Sequence, residues 1–383
     1  MLNVGIIGCG NAGNQVCSEC SKMYPDIPIL AINCSEKDLS TLNSSISKFL
    51  IGDGRGAGKN REEAKEFLES SIMAMIENDN FRDFLKELDL VFIVSSIGGG
   101  TGSGISLALT EIIKEVAADK CFPISVGILP TVEEALATQE NSLSYLTELY
   151  EVSEKPTYML YDNEKYSKLP SMDMMNKINQ EIVNDINVLR GYYNSSTRYN
   201  SIDERDSLTI ITTPGRILVA SLFDVKDEDI NDNNIEDMFI NEIKKNGHAK
   251  LQDDKIVNRT GIIINASKTI LTGFDTHMPK VQEIVGSPVE EFEHMSINED
   301  RKLPNNLFFI ASGLKPINDR ILKIKDRIDS ILDAQRTKEE ELELDDNLLT
   351  EIQGKRVYRE KSNLQQNRQV DVGSILSKFK KKK

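Results

Sequence analysis

The chain is poor in the residues that build metal centres and disulfide frameworks. Its three histidines, His248, His277 and His294, are scattered. Its five cysteines, Cys9, Cys17, Cys20, Cys34 and Cys121, are odd in number and confined to the first third. They sit in strand-like or helix-like contexts rather than in ligand pairs, which argues against a zinc centre and suits buried thiols in a reducing cytoplasm. No run approaches the roughly 18 apolar residues that a membrane span needs. The first residues are strand-like, with no basic-then-apolar leader. The expectation is a soluble cytoplasmic protein without a membrane partner. What is present, 383 residues of which 39% are hydrophobic and 28% charged, is enough for a large core in two or three domains. A net charge of −15 argues against a body that coats nucleic acid by general attraction.

Up to about residue 160, short apolar runs (LNVGIIG, PILAIN, LDLVFIVSS, FPISVGILP, PTYMLY) read as strands. They alternate with helical spacing over Gln15 to Met23, Arg61 to Glu77, Gly104 to Ala117 and Glu133 to Tyr150. Such alternation predicts an α/β fold with a mainly parallel sheet, whose ligands sit at the carboxyl ends of the strands. A long helix is expected from Ser171 to about Gly191, with Ser171 as N-cap after Pro170. New strand signals at SLTIIT, GRILVASLF, TGIIINAS and NNLFFIASGL, with helices over Glu236 to Lys245 and Met278 to Val285, suggest a second, smaller α/β domain. Residues Pro316 to Gln335 carry an apolar helical face, and residues 336–383 read as a disordered tail, acidic from Glu339 and ending in Lys378 and Lys380 to Lys383.

Three glycine-rich loops are candidates for holding phosphate. Gly8-Cys9-Gly10-Asn11-Ala12-Gly13 follows a strand and opens a helix, as a dinucleotide fingerprint does. That fingerprint wants an acidic residue at the end of the second strand, where this chain has Asn33. The stretch from Gly52 to Asn60 misses the Walker A spacing and also reads as a flexible crossover. The third loop, Gly98-Gly99-Gly100-Thr101-Gly102-Ser103-Gly104, places five glycines in seven residues between an apolar strand and a helix. Without Cβ atoms, its amides can converge on an anion at the helix N-terminus.

The GGGTGSG loop resembles the signature loop of the tubulin and FtsZ superfamily of polymerising GTPases. GCGNAGNQ, AINCSEKDL and IGDGRGAGKNREEAKE are similar, in order, to the other phosphate loops of that family; ILPTVEEA resembles its ribose loop, DNEKY the loop leading to the base, and MDMMNK the start of the central helix. The short chain, the ribose loop and the charged tail look most like the TubZ and PhuZ branch of plasmid and phage tubulins. The resemblance implies a Rossmann-like GTP-binding domain over 1–170, a central helix and catalytic loop over 171–206, a second (activation) domain over 207–315, a C-terminal helix over 316–335 and a flexible tail over 336–383. It implies GTP/GDP with Mg²⁺ held by Gly10, Asn11 and Asn14 of the first loop, Asn33 of the second, Ala57 and Gly58 near the γ-phosphate, and Gly99, Gly100, Thr101, Gly102 and Ser103 around the α- and β-phosphates. Glu134 and Asn163 fall at the sugar and Asn176 at guanine, with no metal ligand among the side chains. Where FtsZ carries an arginine four residues after that glutamate, this chain has Thr138.

The resemblance also assigns catalytic carboxylates, Asp203, Asp206 and Glu204, to a loop that acts on the nucleotide of the next subunit, with Asn200 departing from the pattern by one position. Carboxylates suit the role, because phosphoryl transfer to water needs an oriented nucleophile. A head-to-tail contact that does not close gives a filament. In the resembled branch such filaments move plasmid or phage DNA, through a DNA-binding adaptor on the C-terminal tail. Ile375, Leu376 and Phe379 beside the lysines fit that adaptor contact as well as they fit a merely solubilising end. Two other classes stand beside the filament-forming GTPase: a non-polymerising nucleotide-binding regulator and an NAD-dependent enzyme.

Overall fold

Short apolar runs separated by amphipathic segments produce, in the first half, β1 (Val4–Cys9), α1 (Gly10–Met23), β2 (Ile29–Asn33), α2 (Glu36–Ser40), β3 (Ser47–Leu50), α3 (Arg61–Glu77), α4 (Asp79–Lys86), β4 (Leu90–Ser96), α5 (Thr101–Ala117), β5 (Phe122–Leu129), α6 (Leu136–Glu151) and β6 (Thr157–Asp162). A 3₁₀ turn (Asn163–Tyr166) leads to α7 (Ser171–Leu189), the long central helix, and α8 (Glu204–Ile211). The second half contains β7 (Gly215–Val225), α9 (Asp227–Asp232), α10 (Ile235–Lys245), β8 (Ile256–Ala266), α11 (Lys268–Leu271), α12 (Pro279–Val285), β9 (Ser287–Ile297) and β10 (Asn305–Leu314), followed by a helix over 318–338. This computed structural model describes residues 1–117, 120–151, 155–191, 201–232, 234–271, 278–297 and 304–338. The expected tail beyond 338, Asn200 and His277 lie outside the described residues.

The strands form one sheet in the order β3-β2-β1-β4-β5-β6-β7-β10-β8-β9. Neighbours from β3 through β7 are parallel. Strand β10 runs antiparallel to β7 and β8, and β8 and β9 are parallel. Residues 1–328 form one compact unit, so a single sheet runs through both halves; residues 329–383 form a second unit, of which 329–338 are helical. Successive strand residues point to opposite faces. Val4, Ile6, Phe92 and Val94 pack with Val16, Cys17 and Cys20 of α1 and Ile178, Ile182 and Ile186 of α7, whereas Ile7, Val91 and Ile93 pack with Leu68 of α3 and Ile105 and Leu109 of α5. The first cluster continues through Ile217, Val219, Ile263, Phe308 and Ile310, so α7 is buried against both halves. Each fully buried aliphatic side chain there contributes about 1.5–3 kcal/mol.

Several local expectations are corrected. The segment SLTIIT is not a strand but the body of α8, because Asp203 and Asp206 make reciprocal N-terminal caps that start a helix, and Ile210 and Ile211 are buried as its inner face. Pro170, not Ser171, is the N-cap of α7, and no side chain caps that end. Helix α1 begins at Gly10, five residues before Gln15, since Gly10 takes φ +69° and turns the chain directly out of β1. The edge strand β9 had no strand signal, because Glu290, Glu291 and Glu293 interrupt its apolar pattern.

Candidate functional site

Strand order reverses between β1 and β4, and the loops leaving those strands part there to open a crevice. A cavity of about 420 Å³ is lined by Cys9 to Ala12 after β1, Asn33, Ser35 and Asp38 after β2, Arg55 to Lys59 before α3, and Ser96 and Gly99 to Gly102 after β4. A second cavity of about 630 Å³ shares Ala12 and Ser96 with it and extends past Thr131, Glu134, Asn163 and Glu164 to Met174, Met175, Ile178 and Asn179 of α7. The first is a backbone cradle. A Cβ on Gly10 would lie 2.8 Å from the Gly102 nitrogen, and one on Gly100 would lie 2.7 Å from the Lys59 backbone, so three loops meet through main chain alone. Amides at the start of the 17-residue helix α5 face this space with the positive end of the helix dipole.

The polar side chains are arranged for a ligand. Asn33 accepts from the Ser35 amide at 3.2 Å, leaving Nδ2 buried without a partner. Asn14, 1% exposed, has neither amide atom bonded, and Asn163 Oδ1 is likewise unpartnered among the described residues. Buried polar atoms are nearly always satisfied, so the orphans of Asn33 and Asn163, which line the two cavities, fit a polar ligand such as a nucleotide. Glu134 accepts from the Thr131 amide at 2.9 Å, Glu164 accepts from the Val132 amide at 2.8 Å, and Gln139 Nε2 donates to the Thr131 carbonyl at 2.8 Å. Together these bonds hold the loop between β5 and α6.

Of the expected residues, Gly10, Asn11, Asn33, Ala57, Gly58, Gly99, Gly100, Thr101 and Gly102 line the first cavity, and Glu134 and Asn163 the second. Ser103 is buried behind the loop, its hydroxyl donating to the Gly99 carbonyl, and Asn14 stands one turn inside α1. Asn176 is exposed and outside the lining, whereas Asn179, one helical turn on and 8% exposed, is part of it. Asp203, Glu204 and Asp206 are elsewhere. Asp206 N donates to Asp203 Oδ1 at 2.8 Å and Asp203 N to Asp206 Oδ2 at 3.2 Å, while Glu204 accepts from the N-terminal ammonium at 2.7 Å. This loop borders a separate small cavity with Met1, Leu2, Arg190 and Gly191. Helix α7 starts at the crevice and ends where Leu2 N donates to Arg190 O at 2.8 Å, beside the first residues of β1. Its 19 residues span roughly 28 Å, so crevice and acidic loop lie at opposite ends of the parallel strands.

Sequence reading missed Arg320 and Asp162. Arg320 Nε donates to Asp162 Oδ2 at 2.9 Å, and its Nη2 reaches Asp162 Oδ1 at 3.3 Å and the Pro130 carbonyl. Burial pushes the Asp162 carboxyl up, against the lowering pull of Arg320. The pair fixes both loops of the second cavity: Asp162 precedes Asn163 and caps its turn through the Glu164 amide at 3.1 Å, and Pro130 precedes Thr131. Nothing local marks a contact across 158 residues. All five cysteines are buried and free. Among the described residues no His, Cys, Asp and Glu cluster could hold a metal, and no helix is long and apolar enough to cross a membrane.

Comparison with known proteins agrees with this geometry. The family model "Tubulin/FtsZ family, GTPase domain" matches residues 3–170. The cell division protein FtsZ of Aquifex aeolicus is 30% identical over 174 residues, 43% of this chain and 43% of that protein, so the match spans less than half of that relative's length. The crystal structure of Clostridium botulinum phage c-st TubZ superposes with a TM-score of 0.70 at 19% identity, covering 87% of this chain and 99% of that one. A GTPγS-form protofilament of TubZ from Bacillus thuringiensis serovar israelensis superposes with a TM-score of 0.70 at 15% identity, over 89% of this chain and 94% of that one. These likenesses establish the fold.

Proposed function

From the premise that residues 3–170 are a tubulin/FtsZ-family domain, we propose that the protein binds and hydrolyses GTP and stacks head to tail into filaments. In this reading Asp203 and Asp206 of one subunit complete the nucleotide crevice of the next. One observation carries it: α7 joins a crevice at one end of the sheet to an exposed acidic loop at the other, so only a second copy can bring the two together. Translation along one axis repeats that contact without closing it. The B. thuringiensis TubZ relative of the same fold is described as a protofilament.

The crevice residues divide the work. Amides of Gly99 to Gly102 and Gly10 hold phosphate oxygens; Glu134 and Asn163 hold the sugar, and Asn179 takes over from Asn176 the contact with the guanine edge. Mg²⁺ entering with the nucleotide would screen the charge of the phosphates. Each capping bond engages one carboxylate oxygen, Asp203 Oδ1 or Asp206 Oδ2, which leaves the other oxygen of each to orient a water or a cation. The water oxygen bonds to the γ-phosphorus, the β–γ bridging oxygen leaves with GDP, and a carboxylate takes the water's proton. Residues 207–315 act as the activation domain. The filament's cargo is plasmid or phage DNA, held in the cytoplasm through an adaptor on the tail, whose residues beyond 338 lie outside the described structure.

Electron microscopy of the purified protein tests this: filaments are expected with GTP and magnesium and not with GDP. Only dispersed particles under both conditions, at any concentration, would overturn it.

A further inference from the structure

We propose that the Lys59 side chain is the crevice's own cation for the terminal phosphate and makes the site prefer a nucleoside triphosphate to a diphosphate. The inference rests on the nucleotide reading above. The backbone cradle supplies partial charges only, whereas a triphosphate brings several full negative ones. The charged side chains lining the phosphate cavity are Asp38, Arg55 and Lys59. Arg55 sits at the exposed rim, paired with Asp53 at 3.6 Å. Lys59 is exposed as well but differs in its pairing. Its ammonium stands 3.5 Å from the neutral hydroxyl of Thr138 and has no carboxylate partner among the described residues.

The backbone of Lys59 is held in place. Asn141 Nδ2 donates to the Lys59 carbonyl at 3.0 Å and also to the carbonyls of Gly98 at 3.2 Å and Gly99 at 3.3 Å. One amide therefore ties the lysine to the signature loop. Lys59 also adopts φ +65°, and among the described residues only Asp224 is another non-glycine residue in that region. A lysine there costs conformational energy that glycine would avoid, as expected where the side chain has a task that compensates. The loop from Gly52 to Asn60 fails the Walker A spacing, yet it delivers an ammonium beside Ala57 and Gly58, in the part of the first cavity that the second does not share, which in the nucleotide reading is the end away from sugar and base.

The test measures affinities of fluorescent GTP and GDP for dilute protein by anisotropy, for the wild type and for Lys59→Gly, Lys59→Met and Lys59→Arg. Lys59→Gly removes the charge while relieving the backbone, so loss of binding there is not a folding defect. The inference expects Lys59→Gly and Lys59→Met to bind GTP about tenfold more weakly and GDP less than threefold more weakly, Lys59→Arg to keep most of the preference, and the salt dependence of GTP binding to flatten without the charge. Unchanged GTP affinity in both neutral variants, or equal losses for GTP and GDP, would overturn it while leaving the nucleotide reading intact. Failure of the wild type to bind either nucleotide would overturn that reading and this inference with it.

Discussion

Replacing Arg320 by methionine is expected to cost the fold about 3–5 kcal/mol at neutral pH, the usual penalty for removing one partner of a buried ion pair. Both side chains are 8% exposed, so water cannot replace the guanidinium. The loss is a large share of the typical 5–15 kcal/mol of total stability. Its pH dependence identifies the cause. Burial raises the folded-state pKa of Asp162 and Arg320 holds that rise in check. A carboxyl with a raised pKa destabilises the fold increasingly as pH climbs from its unfolded value through its folded one. Without Arg320 the rise is larger, so the deficit is greatest where Asp162 is charged and shrinks as pH falls toward the ordinary carboxyl range and Asp162 takes up a proton. Urea unfolding followed by circular dichroism is the assay, since the chain has no tryptophan. The double variant with Asp162→Asn, which removes the stranded charge, is expected to regain part of the loss. Because the pair fixes the loops holding Thr131 and Asn163, GTP affinity of the single variant is expected to fall about tenfold. A deficit under about 0.5 kcal/mol, or one that does not change with pH, would refute the argument.

Asn179→Ala is expected to weaken GTP binding about tenfold through loss of a buried hydrogen bond, while Asn176→Ala changes it little; fluorescent-nucleotide titration separates them, and the reverse order would return the base contact to Asn176. Asp206→Ala is expected to leave GTP binding intact, slow hydrolysis and give long-lived filaments, with about 1 kcal/mol of stability lost with its cap; phosphate release and light scattering check this, and unchanged turnover removes the trans carboxylate. Glu242 is raised to about 7 by burial, then by Glu181 and Asp185, so stability is expected to fall as pH rises from about 4.5 to about 7. The same unfolding measurement on Glu242→Gln should give a flatter profile, and an equally steep one would place the effect on another group.

How much of this could be read in the chain depends on the range of the forces involved. The cradle was legible because a glycine-rich turn between an apolar strand and a helix is a local pattern, and the parallel half of the sheet followed from equally local alternation. SLTIIT misled because its β-branched residues favour a strand, whereas the Asp203 and Asp206 caps just upstream commit the segment to α8. Strand β9 is held by its register with β8, Arg259 opposite Glu290 among the pairs, and has no apolar period of its own. Asn176 and Asn179 differ by helix phase. Asn179 lies three residues before Ile182 and four before Val183, both buried, and that phase is the sequence signal that could have selected it. Arg320 looked like one more charge on an amphipathic helix, because its partners come from β6 and from the residue after β5.

The steady-state GTPase rate per subunit, measured across protein concentration from well below to well above the onset of light scattering, tests the central claim most directly. A crevice finished only by the next copy's Asp203 and Asp206 gives a rate per subunit near zero in dilute protein that climbs steeply with assembly. A constant rate per subunit, down to concentrations at which sedimentation finds only monomer, would contradict it.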